Sequence, residues 1–334
     1  MASTSVKQIA SLIKNGIAKN IIILTGAGIS VASGIPDFRS PGGMYDTLKP
    51  ELLTASNSEK SAMASDPTTV VSWDLFKENQ FPYLEVRRPF ILGLANREWK
   101  PTLSHYFMSM LHEKKLLRRI YTQNIDGLDY QLDNIPDEKI IPVHGTLGRV
   151  ECEFCKAEMP FTKFQDKLEN SIKDIYNLSN AKAPKNSSSI LCDKCMKPGL
   201  KPATVLYGRS LPPVFFERIE DDVPVADLCI VIGTSLTVYP AASVPEEVLK
   251  SCKRCLINRE MVGDFDTSSD RDFFLQGNSD EVILDLITEL GWLEDLKGAV
   301  LQTSSNEDRN DKPVSLCKQS MEIIQKRITT GRRS

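Results

Sequence analysis

The sequence predicts an α/β fold built on a mostly parallel sheet that helices cover on both faces. Short apolar runs alternate with stretches in which apolar residues recur every three or four positions, as they do in amphipathic helices. The apolar runs are continuous, which is typical of parallel strands buried on both faces. Glycine and polar residues follow several of these runs directly, and ligands of such sheets bind where the strands end.

Six strands and several helices are predicted along the chain. Val6, Ile9 and Ile13 have helical spacing and lead into the first strand, so a structural helix opens the fold. The predicted strands are 21–25, 119–122, 139–143, 204–206, 228–232 and 255–257, and the clearest predicted helices are 102–117, 240–249 and 280–290.

Two segments interrupt this alternation and divide the chain into parts. Residues 46–100 are rich in Ser, Pro, Trp and Phe, and we interpret them as a helical insertion. Residues 149–202 contain two cysteine pairs and are interpreted as a small zinc-binding domain. The large sheet domain then comprises 1–45, 101–148 and 203–296, and the polar sequence of 297–334 is predicted to be a linker with a C-terminal tail.

Composition and charge argue against several classes of protein. Lys and Arg number 41 against 44 Asp and Glu, and the net charge of -3 gives no basis for direct nucleic-acid binding. No apolar run has the length of a membrane span, so we expect no membrane partner. Eight cysteines, half of them in metal-type spacing, favour a reducing compartment. We therefore expect the protein in the cytoplasm, the nucleus or both.

Four cysteines form two identical short motifs. Two residues separate Cys152 from Cys155, and two separate Cys192 from Cys195. Two such pairs complete the tetrahedral four-sulfur shell of a structural zinc site, which leaves no open coordination position for catalysis. The sequence therefore predicts one structural Zn²⁺ ion and places the chemistry elsewhere.

A glycine-rich loop follows the first predicted strand directly. It consists of Gly26, Ala27, Gly28, Ile29 and Ser30. Glycines at this point let backbone N–H groups approach a pyrophosphate, and a helix beginning there would add its positive end. Because the usual third glycine of a dinucleotide loop is absent, a plain tight turn is an equal alternative for this segment alone.

Polar residues also stand after several strands. The short segments that contain them are Asp37, Phe38 and Arg39 beyond the first strand, Gln123, Asn124, Ile125 and Asp126 beyond the second, His144 beyond the third, and Gly233, Thr234 and Ser235 beyond 228–232. Amides and acids at strand ends can hydrogen-bond ribose hydroxyls and a carboxamide, and a neutral imidazole can act as a general base. Each group alone also has an ordinary interpretation as a turn or a structural residue.

Taken in their order along the chain, these motifs resemble the sirtuin family over about residues 6–292. The resemblance is closest to the branch of the main eukaryotic protein deacetylases. It implies an NAD-dependent protein lysine deacetylase, or deacylase, with a Rossmann-like large domain, a small four-cysteine zinc domain and a helical insertion. The enzyme would cleave NAD, a co-substrate, to nicotinamide and transfer the acyl group from lysine in a protein or peptide to ADP-ribose.

The resemblance also implies a role for each site residue. His144 and Asn124 would be the catalytic residues, with His144 as the base, and the substrate peptide would pair with Val205, Leu206, Tyr207 and Gly208. The residues expected to bind NAD are Gly26, Ala27, Gly28, Ile29, Ser30, Asp37, Phe38, Arg39, Gln123, Asn124, Ile125, Asp126, Gly233, Thr234, Ser235, Asn258, Glu260 and Ser279.

Two alternative functions and one departure from the family pattern remain. A mono-ADP-ribosyltransferase would use the same NAD site, and a catalytically silent, zinc-stabilised scaffold would bind NAD as a sensor ligand. A dehydrogenase is disfavoured because the glycine fingerprint is incomplete. Arg209 stands where the family usually carries an acid, so the charge at the edge of the expected cleft is reversed.

Overall fold

The computed structural model describes residues 3–37, 41–132, 134–178, 183–307 and 324–325. Its strands are β1 (Ile21–Thr25), β2 (Leu117–Thr122), β3 (Ile140–Pro142), β4 (Gly145–Cys152), β5 (Glu158–Met159), β6 (Leu200–Thr204), β7 (Leu228–Ile232), β8 (Lys253–Asn258) and β9 (Asp272–Gln276). Its helices are α1 (Thr4–Lys14), α2 (Asn57–Ser65), α3 (Trp73–Glu78), α4 (Phe81–Ala95), α5 (Leu103–Glu113), α6 (Phe161–Ser171), α7 (Pro213–Asp222), α8 (Val244–Glu247), α9 (Ser279–Leu290) and α10 (Leu293–Glu307).

Six parallel strands form the main sheet in the order β3-β2-β1-β7-β8-β9. The predicted α/β class is therefore confirmed. Helices α1, α5, α9 and α10 contribute to the apolar core on one face, and α7 and α8 contribute to the core on the other. The chain order reverses between β1 and β7, and sheets of this kind bind ligands in the crevice at that reversal.

A second, antiparallel sheet contains β5, β4 and β6 in that order. It packs together with α6 and with the helices of 46–100 around a third apolar core. Phe76 and Leu84 come from the insertion, and Phe164 and Leu200 from the cysteine segment. The two irregular parts of the sequence thus share one core.

Several predicted element boundaries are wrong, and proline accounts for two of them. The predicted helix 240–249 is a short 3-10 turn followed by the four-residue α8, with Pro240 and Pro245 in that stretch. The predicted strand 204–206 begins four residues late and ends two residues late, because β6 spans Leu200–Thr204. Strand β9 was not predicted.

The end of the large domain also differs from the expectation. Helix α10 continues to Glu307, past the point at 297 where the sequence predicted a linker. Of the predicted tail, Ile324 lies in the core on the α1 face, and most of the remainder lies outside the described residues. Within the described part of the chain, no helix combines the length and apolar character needed to cross a bilayer.

Candidate active site

A cavity of about 890 Å³ opens at the carboxyl edge of the parallel sheet. Its size falls within the range of small-molecule and cofactor sites. It is lined by residues that follow β1, β2, β3, β7, β8 and β9, among them Gly26, Asn124, His144, Gly233, Asn258 and Ser279. The sheet therefore brings the predicted strand-end residues to one place.

The glycine loop after β1 lies directly against the loop after β7. Gly26 N–H donates to the Ile232 carbonyl oxygen at 3.0 Å, and Gly28 N–H donates to the Gly233 carbonyl oxygen at 2.8 Å. A Cβ at Gly28 would lie 2.7 Å from Gly233 Cα, so only glycine permits this backbone approach. The two loops form a cradle with a glycine-lined floor, which suits a pyrophosphate.

The predicted helix after this loop is absent from the structure. Two short 3-10 turns occupy Ala27–Ile29 and Val31–Ser33, and Gly34 ends the second with a left-handed φ of 90°. The N–H groups of Gly26, Gly28, Ile29 and Ser30 donate to carbonyl oxygens of the protein, and the loop lacks the dipole of a continuous helix. Ile29 does not line the cavity, because its side chain is buried in the core on the α1 face.

Two amides after β2 hold the floor of the cavity in place. Asn124 donates from its side-chain nitrogen to the Gly26 carbonyl oxygen at 3.1 Å. Gln123 donates to Thr234 Oγ1 at 3.0 Å and so connects the loops after β2 and β7. Both residues line the cavity, and Asn124 is buried. Their contacts set the spacing between the glycine loop and the base described below.

A smaller pocket of about 30 Å³ adjoins the main cavity and is lined by Ser30, Asn124 and Asp126. Ser30 Oγ donates to Asp126 Oδ2 at 2.7 Å. Burial raises the pKa of the Asp126 carboxyl above its ordinary value, while hydrogen bonds from Leu128 and Ser30 oppose that shift. A small buried pocket with an acid suits an amide group.

His144 stands between β3 and β4 and lines the main cavity. Its Nδ1 lies 3.0 Å from the Gln123 carbonyl oxygen. A carbonyl oxygen only accepts hydrogen bonds, so we assign the proton of the neutral ring to Nδ1. Nε2 then keeps its lone pair, and the imidazole can act as a general base.

The residues after β6 form one wall of the cavity, which we call the rim (Val205, Leu206, Tyr207 and Gly208). Val205 N–H donates to the His144 carbonyl oxygen at 2.8 Å. Tyr207 pairs with the insertion through Tyr207 N–H to the Val71 carbonyl and Trp73 N–H to the Tyr207 carbonyl. The rim thus connects the base, the cysteine segment and the insertion.

The four cysteines of the two motifs converge on one point. Their sulfur atoms all lie within 4.8 Å of one another, with Cys152 and Cys195 at 3.6 Å and Cys155 and Cys192 at 3.7 Å. A tetrahedron with zinc–sulfur bonds of 2.3 Å has edges of about 3.8 Å. Four thiols in this arrangement fit one Zn²⁺ with no coordination position left for a substrate.

Comparison with known proteins identifies the family. A sequence model described as the Sir2 family matches residues 26–240. The chain belongs to the Sir2 family. It is 37% identical over 297 residues to the NAD-dependent protein deacetylase hst2 of Schizosaccharomyces pombe, which covers 89% of this chain and 79% of that protein. It is 32% identical to the NAD-dependent protein deacetylase sirtuin-3 of Mus musculus, over 92% of this chain and 83% of the relative.

A third relative gives a similar match. The NAD-dependent protein deacetylase sirtuin-2 of Danio rerio is 34% identical, over 91% of this chain and 76% of that protein. The resemblance predicted from the motifs is therefore confirmed at the level of the family. These comparisons do not address individual residues, so the roles of the site residues depend on the geometry of this Sir2-family chain.

The remaining predicted NAD residues of this Sir2-family site fall into two groups. Asn258, Glu260 and Ser279 line the main cavity at the end of β8 and the start of α9, and Ser279 Oγ donates to the Gly28 carbonyl oxygen at 3.0 Å. Asp37, Ile125, Thr234 and Ser235 also line it. Phe38 and Arg39 lie outside the described residues, so their predicted roles remain predictions.

None of the residues that the sequence predicts for the site lies on α4, although α4 supplies part of the cavity wall. Tyr83 and Arg87 both line the cavity, and Tyr83 Oη lies 2.6 Å from Thr204 Oγ1 at the end of β6. The two side chains are buried although α4 begins far from the strand ends in sequence. Charged and polar residues inside an otherwise apolar helix were the available signal, since such residues seldom lie in a core without a partner or a function.

Proposed function

We propose that the protein is an NAD-dependent protein lysine deacetylase. It cleaves NAD to nicotinamide and transfers the acyl group from a lysine of a protein or peptide to ADP-ribose. One observation carries the proposal: the dinucleotide cradle at Gly26 and Gly28, the base His144 and the rim all face a single cavity. The names of the three relatives agree with this chemistry.

Binding of NAD depends on the loops at the sheet edge. NAD supplies the ribose carbon at which nicotinamide leaves and the acyl oxygen of the substrate attaches. The glycine loop, with Thr234 and Ser235, holds the phosphates, because glycine lets them approach the backbone closely and hydroxyl groups donate hydrogen bonds. Asn258, Glu260 and Ser279 hold the adenosine end, which places the opposite end of the dinucleotide toward His144.

Three polar residues orient the reacting end. Gln123 and Asn124 hydrogen-bond the nicotinamide ribose, and their existing contacts to Thr234 and Gly26 fix their positions beforehand. Asp126 receives the carboxamide in the small pocket beside Ser30. Fixing these groups before the reaction lowers the entropic barrier of the transfer step.

His144 moves the proton. Its Nε2 accepts a proton from the ribose hydroxyl that takes up the acyl group, while Nδ1–H stays on the Gln123 carbonyl oxygen. The same contact stabilises the imidazolium that forms, because the carbonyl dipole faces it. The rim binds the peptide main chain on the neighbouring wall, as an added strand binds a free edge. General-base catalysis of this kind contributes about 10²- to 10⁴-fold to the rate.

Zinc is proposed as a structural ligand only. Four thiols fill its coordination shell, so the ion supplies folding energy to the cysteine segment and no step of the reaction. We further propose a cytoplasmic or nuclear location. The seven cysteines in the described part of the chain are all free of disulfide bonds, which agrees with a reducing compartment.

One product analysis tests the proposal against its alternatives. The purified protein is incubated with NAD and an acetyl-lysine peptide, and the products are identified by mass spectrometry. Free nicotinamide, O-acetyl-ADP-ribose and bare lysine are the expected products. ADP-ribosylated protein without deacetylated peptide would indicate a transferase instead, NADH a dehydrogenase, and no turnover a scaffold; each of these results overturns the proposal.

A further inference from the structure

An arginine extends the rim into the mouth of the cavity. Arg209 follows Gly208 directly, lines the same cavity as His144, and has a side chain that is 39% exposed. Its backbone N–H donates to the Leu206 carbonyl oxygen at 3.0 Å, so the chain turns tightly at this point. The guanidinium is therefore attached to the wall proposed to bind the substrate peptide.

Two contacts hold the guanidinium in a defined orientation. Its Nε donates to Glu153 Oε1 at 2.9 Å, and its central carbon lies 4.1 Å from the centre of the Trp73 ring. Trp73 is itself fixed to the rim, because its N–H donates to the Tyr207 carbonyl oxygen at 2.9 Å. An arginine stacked on an aromatic face and paired at Nε has lost most of its rotational freedom before any ligand arrives.

The outer end of this guanidinium is available for a further partner. Within the described residues, the Arg209 side chain makes its one hydrogen bond through Nε, and the N–H groups of Nη1 and Nη2 donate to none of these residues. Those N–H groups lie side by side in the planar fork that matches a carboxylate. Arginine keeps its positive charge at every physiological pH.

Glu153 does not cancel the charge of Arg209, because other cations share it. The fully buried Lys201 places its Nζ 3.1 Å from Glu153 Oε2, and Lys156 lies 3.6 Å from the same oxygen. Lys156 also pairs with Glu151 at 2.9 Å. Glu153 is therefore shared among Arg209, Lys201 and Lys156, and it does not neutralise Arg209 alone.

We propose that Arg209 selects substrates in which an acidic residue flanks the acylated lysine. The carboxylate of that residue accepts hydrogen bonds from Nη1 and Nη2, while Glu153 and Trp73 hold the guanidinium in place. This inference rests on the proposed function, since it assumes that the rim binds the peptide. Exposed ion pairs contribute roughly 0.2 to 1 kcal/mol, so the pair should favour the acidic peptide by about 1.4- to 5-fold.

The test uses acetyl-lysine peptides that differ at one flanking position, which is Glu, Gln or Lys. Each position on both sides of the lysine is scanned, and kcat/KM is measured with NAD at saturation. We expect the order Glu, Gln, Lys at one or two positions for the wild-type protein. Arg209→Glu should reverse this order, and Arg209→Ala should reduce the Glu to Gln ratio to about one, within the error of such ratios.

Two controls separate a specific contact from general charge. Arg218→Glu makes the same charge change on α7, at a side chain that is also 39% exposed, and should leave the order of the peptides unchanged. Raising the salt concentration should lower the Glu to Gln ratio of the wild-type protein and leave that of Arg209→Ala unaffected, since exposed ion pairs are screened.

The outcomes distinguish this inference from the function on which it rests. If no peptide is deacetylated, the proposed function fails. Two results would overturn the assignment of Arg209 and leave the proposed deacetylase function intact. In the first, the wild-type protein deacetylates all peptides with equal kcat/KM. In the second, Arg209→Glu keeps the preference for Glu. A preference that Arg218→Glu changes as strongly as Arg209→Glu would also overturn it.

Discussion

The parallel sheet and the cysteine segment reach stability by different means. Every residue of β1 and β7 is buried, and helices cover the sheet on both faces with separate apolar cores. The cysteine segment has a three-stranded sheet in which β5 contains two residues, and it shares its core with the insertion. A small unit of that kind usually needs a metal or disulfides to fold.

This difference assigns separate tasks to the two regions. The sheet holds the loops proposed to bind NAD through its own packing, and His144 stands at its edge. The cysteine segment holds the rim, because β6 leads directly into Val205. Loss of zinc should therefore weaken peptide binding before NAD binding. Changes at the sheet edge should weaken NAD binding before peptide binding.

The largest effect is expected from removal of one zinc ligand. Cys192→Ala leaves three thiols, and structural zinc in small domains contributes on the order of 10 kcal/mol to folding. We expect loss of bound zinc, loss of deacetylation, and rapid hydrogen exchange in β4 and β6 while β1 and β7 stay protected. Zinc content and hydrogen exchange by mass spectrometry measure these changes.

The matched control is Cys252→Ala. Cys252 and Cys255 have the same spacing as the zinc motifs, but both are fully buried at β8 and burial raises the pKa of each thiol. This variant should lose some stability through a cavity and keep its zinc. Retention of zinc by Cys192→Ala, or its loss from Cys252→Ala, would contradict the proposed difference between the two regions.

A smaller effect is expected from a buried polar pair beneath the sheet edge. His105 Nε2 lies 3.9 Å from Asp129 Oδ1, and both residues are buried. Burial lowers the pKa of His105 to about 3, and burial together with the nearby Asp126 raises the pKa of Asp129 to about 7. The ordinary values of these two groups are 6.5 and 3.8.

These shifts have opposite consequences for stability. Below pH 6.5 the unfolded chain protonates His105 and the folded chain does not, so acidification toward pH 3 destabilises the fold. Between pH 7 and 3.8 the folded chain protonates Asp129 first, so acidification stabilises the fold. Asp129→Asn removes only the second contribution. We expect its free energy of unfolding, relative to wild type, to fall by roughly 1.4 kcal/mol per unit as pH decreases through that window.

Urea unfolding of both proteins at several pH values measures this difference. Titrating groups distant from Asp129 contribute equally to the two proteins and cancel, whereas Asp126 and His105 lie close enough to change the slope. A difference that stays constant between pH 7 and pH 4.5 would show that Asp129 ionises as an ordinary exposed carboxyl does. Water would then reach the residues around Asp129, and the sheet edge would not be held rigidly by its own packing as we propose.

The smallest effect is expected when one methyl group is added to the glycine loop at Gly28. A Cβ at Gly28 meets Gly233 Cα at 2.7 Å, so Gly28→Ala must push two backbone segments apart. Overpacking of this kind costs about 1 to 3 kcal/mol, and it should appear mainly as weaker NAD binding with zinc retained. Gly298→Ala is the control, since nothing lies within 4 Å of the added Cβ. Equal NAD affinity in both variants would contradict the proposed cradle.

The sequence predicts the parallel sheet better than it predicts the cavity wall. Strands β1 and β7 match their predicted bounds because each is a continuous apolar run. Strand β9 was missed because only its middle residues are apolar, between Asp272 and Gln276. Glycine and polar residues at strand ends were recognised because parallel strands bring their carboxyl ends to one edge.

Contacts between distant segments were beyond the reach of sequence patterns. Tyr83 meets Thr204 across the shared core, and no local spacing relates these residues. The pairing of Arg209 with Glu153 likewise joins the rim to the residue after the first zinc ligand. Such contacts depend on how the insertion and the cysteine segment pack together, and that packing is a tertiary property.

The most direct test of the account is the substitution His144→Ala, assayed for deacetylation and NAD binding in the same preparation. The account predicts that kcat/KM falls by at least about 10²-fold, while zinc content, folding and NAD binding persist. His112→Gln, a half-buried histidine on α5 away from the cavity, should retain turnover. Deacetylation by His144→Ala at the wild-type rate would contradict the claim that the sheet edge performs the chemistry through this base.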